Sequence, residues 1–360
     1  MLLIQQTSSR VGARHQHKEA RLRKTATAIW CVTDGTTGMR YQTLALAAIM
    51  KWDQTPAFRD IVVAPHPLLR QLPRLGRWAP NLPLVQDQNS FLGTIRKISD
   101  YPGIMVTCGR RMAGISMALK TRANRAGSDV TTIHLQDPRL DPACFNMLIV
   151  PQHDRVRGDN VIVTKAALNR MSQSHIAASS NTLPQHWKAA ASPRVAVMIG
   201  GDNRRYKISH NMAKSMAEQL AEFSATNSAN LFLLPSRRCP DSVLGYLQTA
   251  LPPDRCMTAT NDQPNPYPGI LAIADAVIVT SDSVNMATEA SGTGKPVLIA
   301  YWQEETGRIA KFHQIMQDGG HTAPLPHHLP SRPFAPLDES AMIRQQITAR
   351  LGRQSTRCTV

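Results

Sequence analysis

Ala276-Val277-Ile278-Val279-Thr280-Ser281-Asp282-Ser283-Val284-Asn285-Met286-Ala287-Thr288-Glu289-Ala290-Ser291-Gly292-Thr293-Gly294-Lys295-Pro296-Val297-Leu298-Ile299-Ala300 reads as strand, helix, strand. The run Ala276 to Thr280 is short, apolar and rich in β-branched residues, which suits a strand covered on both faces. Ser283 can cap a helix over Val284 to Ser291 by accepting from the N–H of Asn285 or Met286. Gly292 and Gly294 end that helix, and Pro296 forbids its continuation. Pro296 to Ala300 is then a second buried strand. The Gly-Thr-Gly-Lys segment is no Walker loop: position 289 holds Glu where a Gly is needed, and Pro296 stands in place of Ser or Thr.

The same alternation extends outward in both directions. Upstream in the second half are strands at Val195 to Ile199 and Leu231 to Leu234. Helices are expected at His210 to Phe223, Tyr267 to Ala274 and Arg308 to Gln317. The first half gives strands at Ala28 to Val32, Ile61 to Ala64, Ile104 to Cys108, Thr132 to Leu135 and Met147 to Val150. Helices follow Asp34-Gly35 and span Ala113 to Ala123. Strand–helix alternation in two blocks predicts an α/β protein of two Rossmann-like doubly wound domains. The expected boundaries are 25–170 and 193–335. A Ser-, Asn- and Gln-rich linker at 171–192 joins them, and 336–360 form a last helix and tail. Residues 1–24 carry six Lys or Arg against Glu19 alone and read as a disordered basic leader or an organelle presequence.

A chain of 360 residues is long enough for two cores. Charged residues are 18%, below the usual ~25%, yet the net charge is +16. Acids are therefore the scarce class, and the expected partner is anionic: a phosphate-bearing metabolite, nucleic acid or acidic lipid. No aromatic-plus-basic stripe and no recognition helix stand out, so nucleic acid is set aside. Six cysteines without a Cys-x-x-Cys pair argue for no metal and for a reducing, cytoplasmic location. No G-x-G-x-x-G appears, so no dinucleotide cofactor is expected, and an epimerase that needs one is disfavoured. The basic surface leaves room for peripheral contact with the inner face of an anionic membrane.

Three arginine pairs follow predicted strand ends: Arg110-Arg111, Arg204-Arg205 and Arg237-Arg238. That edge of an open α/β sheet faces its ligand crevice. Guanidinium forks suit phosphate oxygens, although such pairs can also simply solvate loops. Gly200-Gly201, ahead of Asp202-Asn203, lets the backbone approach a phosphate and leads toward a helix N-terminus. A plain tight turn would look the same. Glu289 shares a helix face with Asn285 and could take a ribose diol, with Ser283 near the phosphates. In the first half, Gln42 lies one turn into a helix. Asp34, and His153 beside Asp154 after the strand ending at Val150, are candidate general bases; alone, each could equally be structural.

In chain order the motifs are Asp34-Gly35-x-x-Gly38-x-x-x-Gln42, Gly109-Arg110-Arg111, Pro151-x-His153-Asp154, Gly200-Gly201-Asp202-Asn203, Ser236-Arg237-Arg238, Asn265-Pro266-Tyr267 and Thr280-Ser281-Asp282-Ser283-x-x-Met286-x-x-Glu289. This set resembles the mitochondrial fission family of the elongated-mitochondria type, over roughly residues 27 to 320. The second half is also similar to the donor domain of GT-B glycosyltransferases. That resemblance implies two facing domains with a nucleotide diphosphate sugar in the cleft between them. Gly200, Gly201 and Ser283 would hold phosphate and Glu289 the ribose. Asn203, Ser236, Arg237, Arg238, Ser281, Asp282, Met286, Arg110, Arg111 and Gln42 would complete the binding set. Retaining members often carry a second Glu eight residues before the first. Ser281 stands there in this chain, so the resemblance implies inversion, with His153, Asp154 or Asp34 as base. The alternative is a non-enzymatic adaptor built on the same fold.

Overall fold

The computed structural model describes residues 28–50, 57–78, 82–87, 101–169, 183–203, 205, 207–259 and 266–357. The basic leader, Arg204, Asn265 and residues 171–182 of the expected linker lie outside them. The described chain forms two compact units. One comprises residues up to Thr164 together with those from Glu339 onward, and the other comprises Lys165–Asp338.

The first unit has strands β1 (Ala28–Thr33), β2 (Ala57–Val62), β3 (Ile104–Cys108), β4 (Thr131–Leu135), β5 (Met147–Pro151) and β6 (Val161–Thr164). Its helices are α1 (Thr37–Ile49), α2 (Pro67–Gln71), α3 (Leu75–Trp78) and α4 (Arg110–Arg125). The strands pair in parallel in the order β2-β1-β3-β4-β5-β6. In the second unit, helix α5 (Gln185–Lys188) precedes β7 (Arg194–Ile199), and α6 (His210–Asn227), β8 (Asn230–Pro235), α7 (Asp241–Ala250) and β9 (Cys256–Thr258) follow. Then come α8 (Tyr267–Ile273), β10 (Ala276–Thr280), α9 (Val284–Ser291), β11 (Val297–Ala300), α10 (Gly307–Asp318) and β12 (Ala323–Pro324). These strands are also parallel, in the order β12-β11-β10-β7-β8-β9. The last helix, α11 (Ser340–Arg357), belongs to the first unit.

Both predicted Rossmann-like domains are thus present. The central strands β3, β5 and β10 are buried at every position, and helices cover both faces of a sheet whose strands are almost wholly apolar. In the second unit, Phe232, Val277, Ile299 and Phe312 fill one face and Val197, Leu220, Phe223 and Leu298 the other. Leu183 and Trp187, within the stretch expected as linker, are buried in the first of these layers. The sequence reading differs from the structure at the sheet edges. β2 runs from Ala57 to Val62 rather than over Ile61 to Ala64, because its pairing with β1 includes the polar Arg59 and Asp60. Strands β6, β9 and β12 and helix α7 were not anticipated.

Candidate functional site

In the second unit the chain turns outward after β7, β8, β10 and β11, four adjacent strands. The strand order reverses between β7 and β10. Gly200-Gly201 and Ser281-Asp282-Ser283, which follow those two strands, therefore flank the crevice where open α/β sheets take their ligands.

Asp282 ties the surrounding loops together. Its buried carboxylate accepts through Oδ1 from Thr280 Oγ1 at 2.7 Å and Trp302 Nε1 at 3.1 Å. Through Oδ2 it accepts from the Gly201 N–H at 3.1 Å and the Arg238 guanidinium at 2.9 Å. Thr280 Oγ1 also accepts from the Gly200 N–H at 2.8 Å. The two glycines are required by this close approach. A Cβ on Gly200 would lie 2.0 Å from Asp282 Oδ1, and one on Gly201 would lie 1.8 Å from the Arg238 carbonyl oxygen.

A second network backs the first. Ser281 Oγ donates to Glu305 Oε1 at 2.8 Å and accepts from the Trp302 N–H at 3.3 Å. Glu305 meets Arg205 at 3.2 Å, and Arg205 also donates to the Thr306 carbonyl at 3.0 Å. His313 donates from Nε2 to the Ser281 carbonyl at 2.9 Å. Burial lowers the His313 pKa, against smaller opposing effects of that bond and of the Glu305 and Asp282 charges.

Ser283 caps α9. Its Oγ accepts from the Met286 N–H at 3.4 Å, and its carbonyl from the Ala287 N–H at 3.1 Å. The N–H groups ahead of these have no partner within the helix and, with the helix dipole, favour an anion. Glu289 lies further along α9, half-buried, and accepts from the Tyr267 hydroxyl at 2.6 Å. Burial pushes the Glu289 carboxyl above its ordinary pKa, with the Tyr267 bond opposing. Burial and the Glu289 charge push the Tyr267 phenol well up. Ser236 Oγ accepts from the Arg238 N–H at 3.3 Å, Asn203 Oδ1 accepts from the Arg205 N–H at 2.7 Å, and Met286 is half-buried. Arg237 and Arg238 are exposed, the latter while bonded to Asp282. Helix α6 begins only at His210 and is capped by Ser209. The helix donors nearest the crevice therefore belong to α9, not to the helix after Gly200-Gly201.

In the first unit the strand order reverses between β1 and β3. Asp34 follows β1, and Arg110-Arg111 open α4 after β3, so these candidates sit at that unit's own crevice. Asp34 accepts from the Thr36 N–H at 3.1 Å and pairs with Arg111 at 3.4 Å. Gln42 is buried on α1, and its Oε1 accepts from Gln136 Nε2 at 3.2 Å. His153 and Asp154 follow β5, two strands along from β3. Arg157 clasps their loop through the carbonyls of Gln152 at 3.0 Å and Asp154 at 2.7 Å. His134 is wholly buried, 2.7 Å from Thr107 Oγ1, and burial holds its pKa down to about 3.

The residues that sequence reasoning missed are Thr280 as a bridge, Trp302, Glu305 and His313. Trp302 and Glu305 had one available signal, since both follow a predicted strand end. Among the described residues no cluster of three or more His, Cys, Asp or Glu could hold a metal ion. No described helix is long and apolar enough to cross a membrane.

Two Rossmann-like units in one chain, each with a set of candidate residues at its own strand-order reversal, define a GT-B-like fold. The fold is similar to that of a putative UDP-N-acetylglucosamine 2-epimerase from Listeria monocytogenes, with a TM-score of 0.52 at 11% identity over 91% of this chain and 88% of that one. The chain belongs to the family described as Mitochondrial fission ELM1, whose model matches residues 37–351. It is 27% identical over 245 residues to "Mitochondrial fission protein ELM1" of Arabidopsis thaliana, covering 61% of this chain and 56% of that protein. It is 26% identical over 306 residues to "Uncharacterized protein RP120" of Rickettsia prowazekii (strain Madrid E), covering 76% of this chain and 83% of that protein. The chain thus matches little more than half the length of the Arabidopsis relative.

Proposed function

We propose that the second unit binds the diphosphate and ribose of a nucleotide sugar at its β7–β10 crevice, and that the protein transfers the sugar to an acceptor with inversion. One observation carries this reading. The Gly200-Gly201 turn, the N-terminus of α9 and the Glu289 carboxylate all belong to elements at the strand-order reversal of a Rossmann-like sheet. The N–H groups of α9 suit a phosphate, and Glu289, held by Tyr267, offers acceptor oxygens to a ribose diol. Arg237 and Arg238 offset the charge of the departing diphosphate. Asp282, with four donors from the protein, acts as the clamp that shapes the turns rather than as a ligand contact. For the transfer, a base must take the acceptor's proton; Asp34, His153 and Asp154 are the carboxylates and imidazole that the first unit offers.

Calorimetry against UDP-, GDP-, CMP- and ADP-sugars tests the reading. One of them binds, and Glu289→Gln weakens it at least tenfold while leaving the folded state intact. If none binds at millimolar concentration, the donor site is wrong and the fold serves as a non-enzymatic interaction module.

A further inference from the structure

The first unit carries a surface that the nucleotide reading does not use. Helices α2 and α3 lie on α4 with unusual closeness. A Cβ on Gly76 would come within 2.2 Å of the Gly114 carbonyl oxygen, and one on Gly114 within 2.6 Å of the Leu69 carbonyl oxygen. Leu69 is fully buried, and Gly76 is buried too. With one side of the segment fixed in this way, its other side chains are held outward. Trp78 is 77% exposed, Leu72 56% and Leu68 44%. These are three of the five large apolar side chains that stand exposed among the described residues.

Arg70, Arg74 and Arg77 are interleaved with them and are all exposed. The Arg77 guanidinium lies over the Trp78 ring, 5.8 Å from its centroid. No Asp or Glu occurs between residues 61 and 86 or within α4. The flanking Asp60 is engaged by Arg40 at 2.7 Å. Burial lowers the pKa of Lys120 on α4, with the Asp129 charge opposing and the Arg77 charge adding a smaller effect in the same direction. The patch is therefore apolar at its projecting side chains and positive throughout its own sequence.

We propose that this α2–α3 surface docks on an anionic lipid bilayer, with Trp78, Leu72 and Leu68 entering the headgroup–acyl boundary and the three arginines meeting lipid phosphates. The charge pattern favours a bilayer over a protein partner. Tryptophan and leucine projecting among cations that can reach outward along their own stems is the composition an interface rewards. A second protein would have to bring acids to match three arginines at once. This surface belongs to the first unit, and the proposed nucleotide site to the second.

The test uses the full chain with vesicles of phosphatidylcholine, with and without 30% phosphatidylglycerol. Co-flotation alone does not decide, because the basic residues 1–24 also attract anionic vesicles. The deciding signal is tryptophan emission, compared between the native protein and Trp78→Phe. A blue shift is expected on anionic vesicles only, in the native protein and not in Trp78→Phe. Arg70→Gln/Arg74→Gln/Arg77→Gln should weaken it roughly 100-fold, at about fivefold for each arginine. All three variants of the surface (Leu72→Ser is the third) should keep the native circular dichroism. No shift on either vesicle, an equal shift in Trp78→Phe, or a shift indifferent to the triple substitution overturns the proposal. In that case the surface faces a protein instead.

Discussion

At the scale of single residues, the crevice of the second unit is governed by the space between Gly200 and Asp282. Adding one methyl at Gly200 places carbon 2.0 Å from Asp282 Oδ1. The carboxylate cannot retreat, since four donors from residues 201, 238, 280 and 302 hold it. Gly200→Ala is expected to destabilise by about 1–3 kcal/mol, more than the entropy gained from the unfolded chain. Gly245→Ala is the contrast: it lies inside α7 with nothing within 4 Å, and should stabilise by roughly 0.5–1 kcal/mol. Urea unfolding of both variants checks the pair, and equal effects would refute the clamp. The sequence made Asp282 visible as a polar residue after a strand, but not its partners, because Gly201 and Arg238 are 81 and 44 residues away. His134 gives a pH-dependent counterpart. Burial depresses its folded pKa to about 3, so below the unfolded value near 6.5 only the unfolded chain takes the proton. Stability present above pH 6.5 is then lost on acidification, at about 1.4 kcal/mol per pH unit down to about pH 3. His134→Gln should remove that increment from the slope of urea stability between pH 4 and 6; an unchanged slope would count against it.

At the scale of elements, the strands that sequence patterning located are the interior ones, and those it misplaced or overlooked are the edges. β1, β3, β4, β5, β7, β8, β10 and β11 each have a neighbour on both sides, whereas β2, β6, β9 and β12 have only one. An interior strand must be apolar on both faces, which leaves a readable run. An edge strand tolerates Arg59-Asp60 in β2, or shrinks to Cys256-Met257-Thr258 in β9, and the run disappears. Helix α7 escaped because only Val243 and Leu247 are buried along it. Elements also depend on distant side chains that no local pattern announces. Lys295, in the segment that mimics a Walker loop, sends its ammonium to the carbonyls of Leu271 at 2.6 Å, Ala272 at 2.8 Å and Ala274. It thereby closes the C-terminal end of α8, whose first residue is Tyr267, the partner of Glu289. Burial lowers the Lys295 pKa to about 8, but the ammonium persists at neutral pH. Lys295→Met leaves those carbonyls without their charged donor and should cost about 2–3 kcal/mol. If α8 frays as expected, amide exchange accelerates at Leu271 to Ala274 before it does in β10. Unchanged exchange there would show that the cap is dispensable.

At the scale of the whole molecule, the first unit is discontinuous in sequence and the second is not. The chain leaves the first unit at Thr164, builds all of the second, and returns with α11. Ile343, Ile347 and Leu351 recur every fourth residue along that helix and are all buried. Arg350 reaches the carbonyls of Asp159 and Val161 at 3.4 and 3.3 Å, tying α11 to the start of β6. Burying three such side chains contributes roughly 5–9 kcal/mol as an upper estimate. A domain's net stability is only about 5–15 kcal/mol, so the first unit has little to spare without this helix. A chain ending at Asp338 should therefore lose the first unit and keep the second. Hydrogen exchange followed by mass spectrometry separates the two outcomes. Amides of β3 and β4 should exchange quickly in the truncated chain, while those of β7 and β10 retain their protection. The second unit then remains available for calorimetry with nucleotide sugars, and protection lost equally from β7 and β10 would show that it needs the first unit to fold.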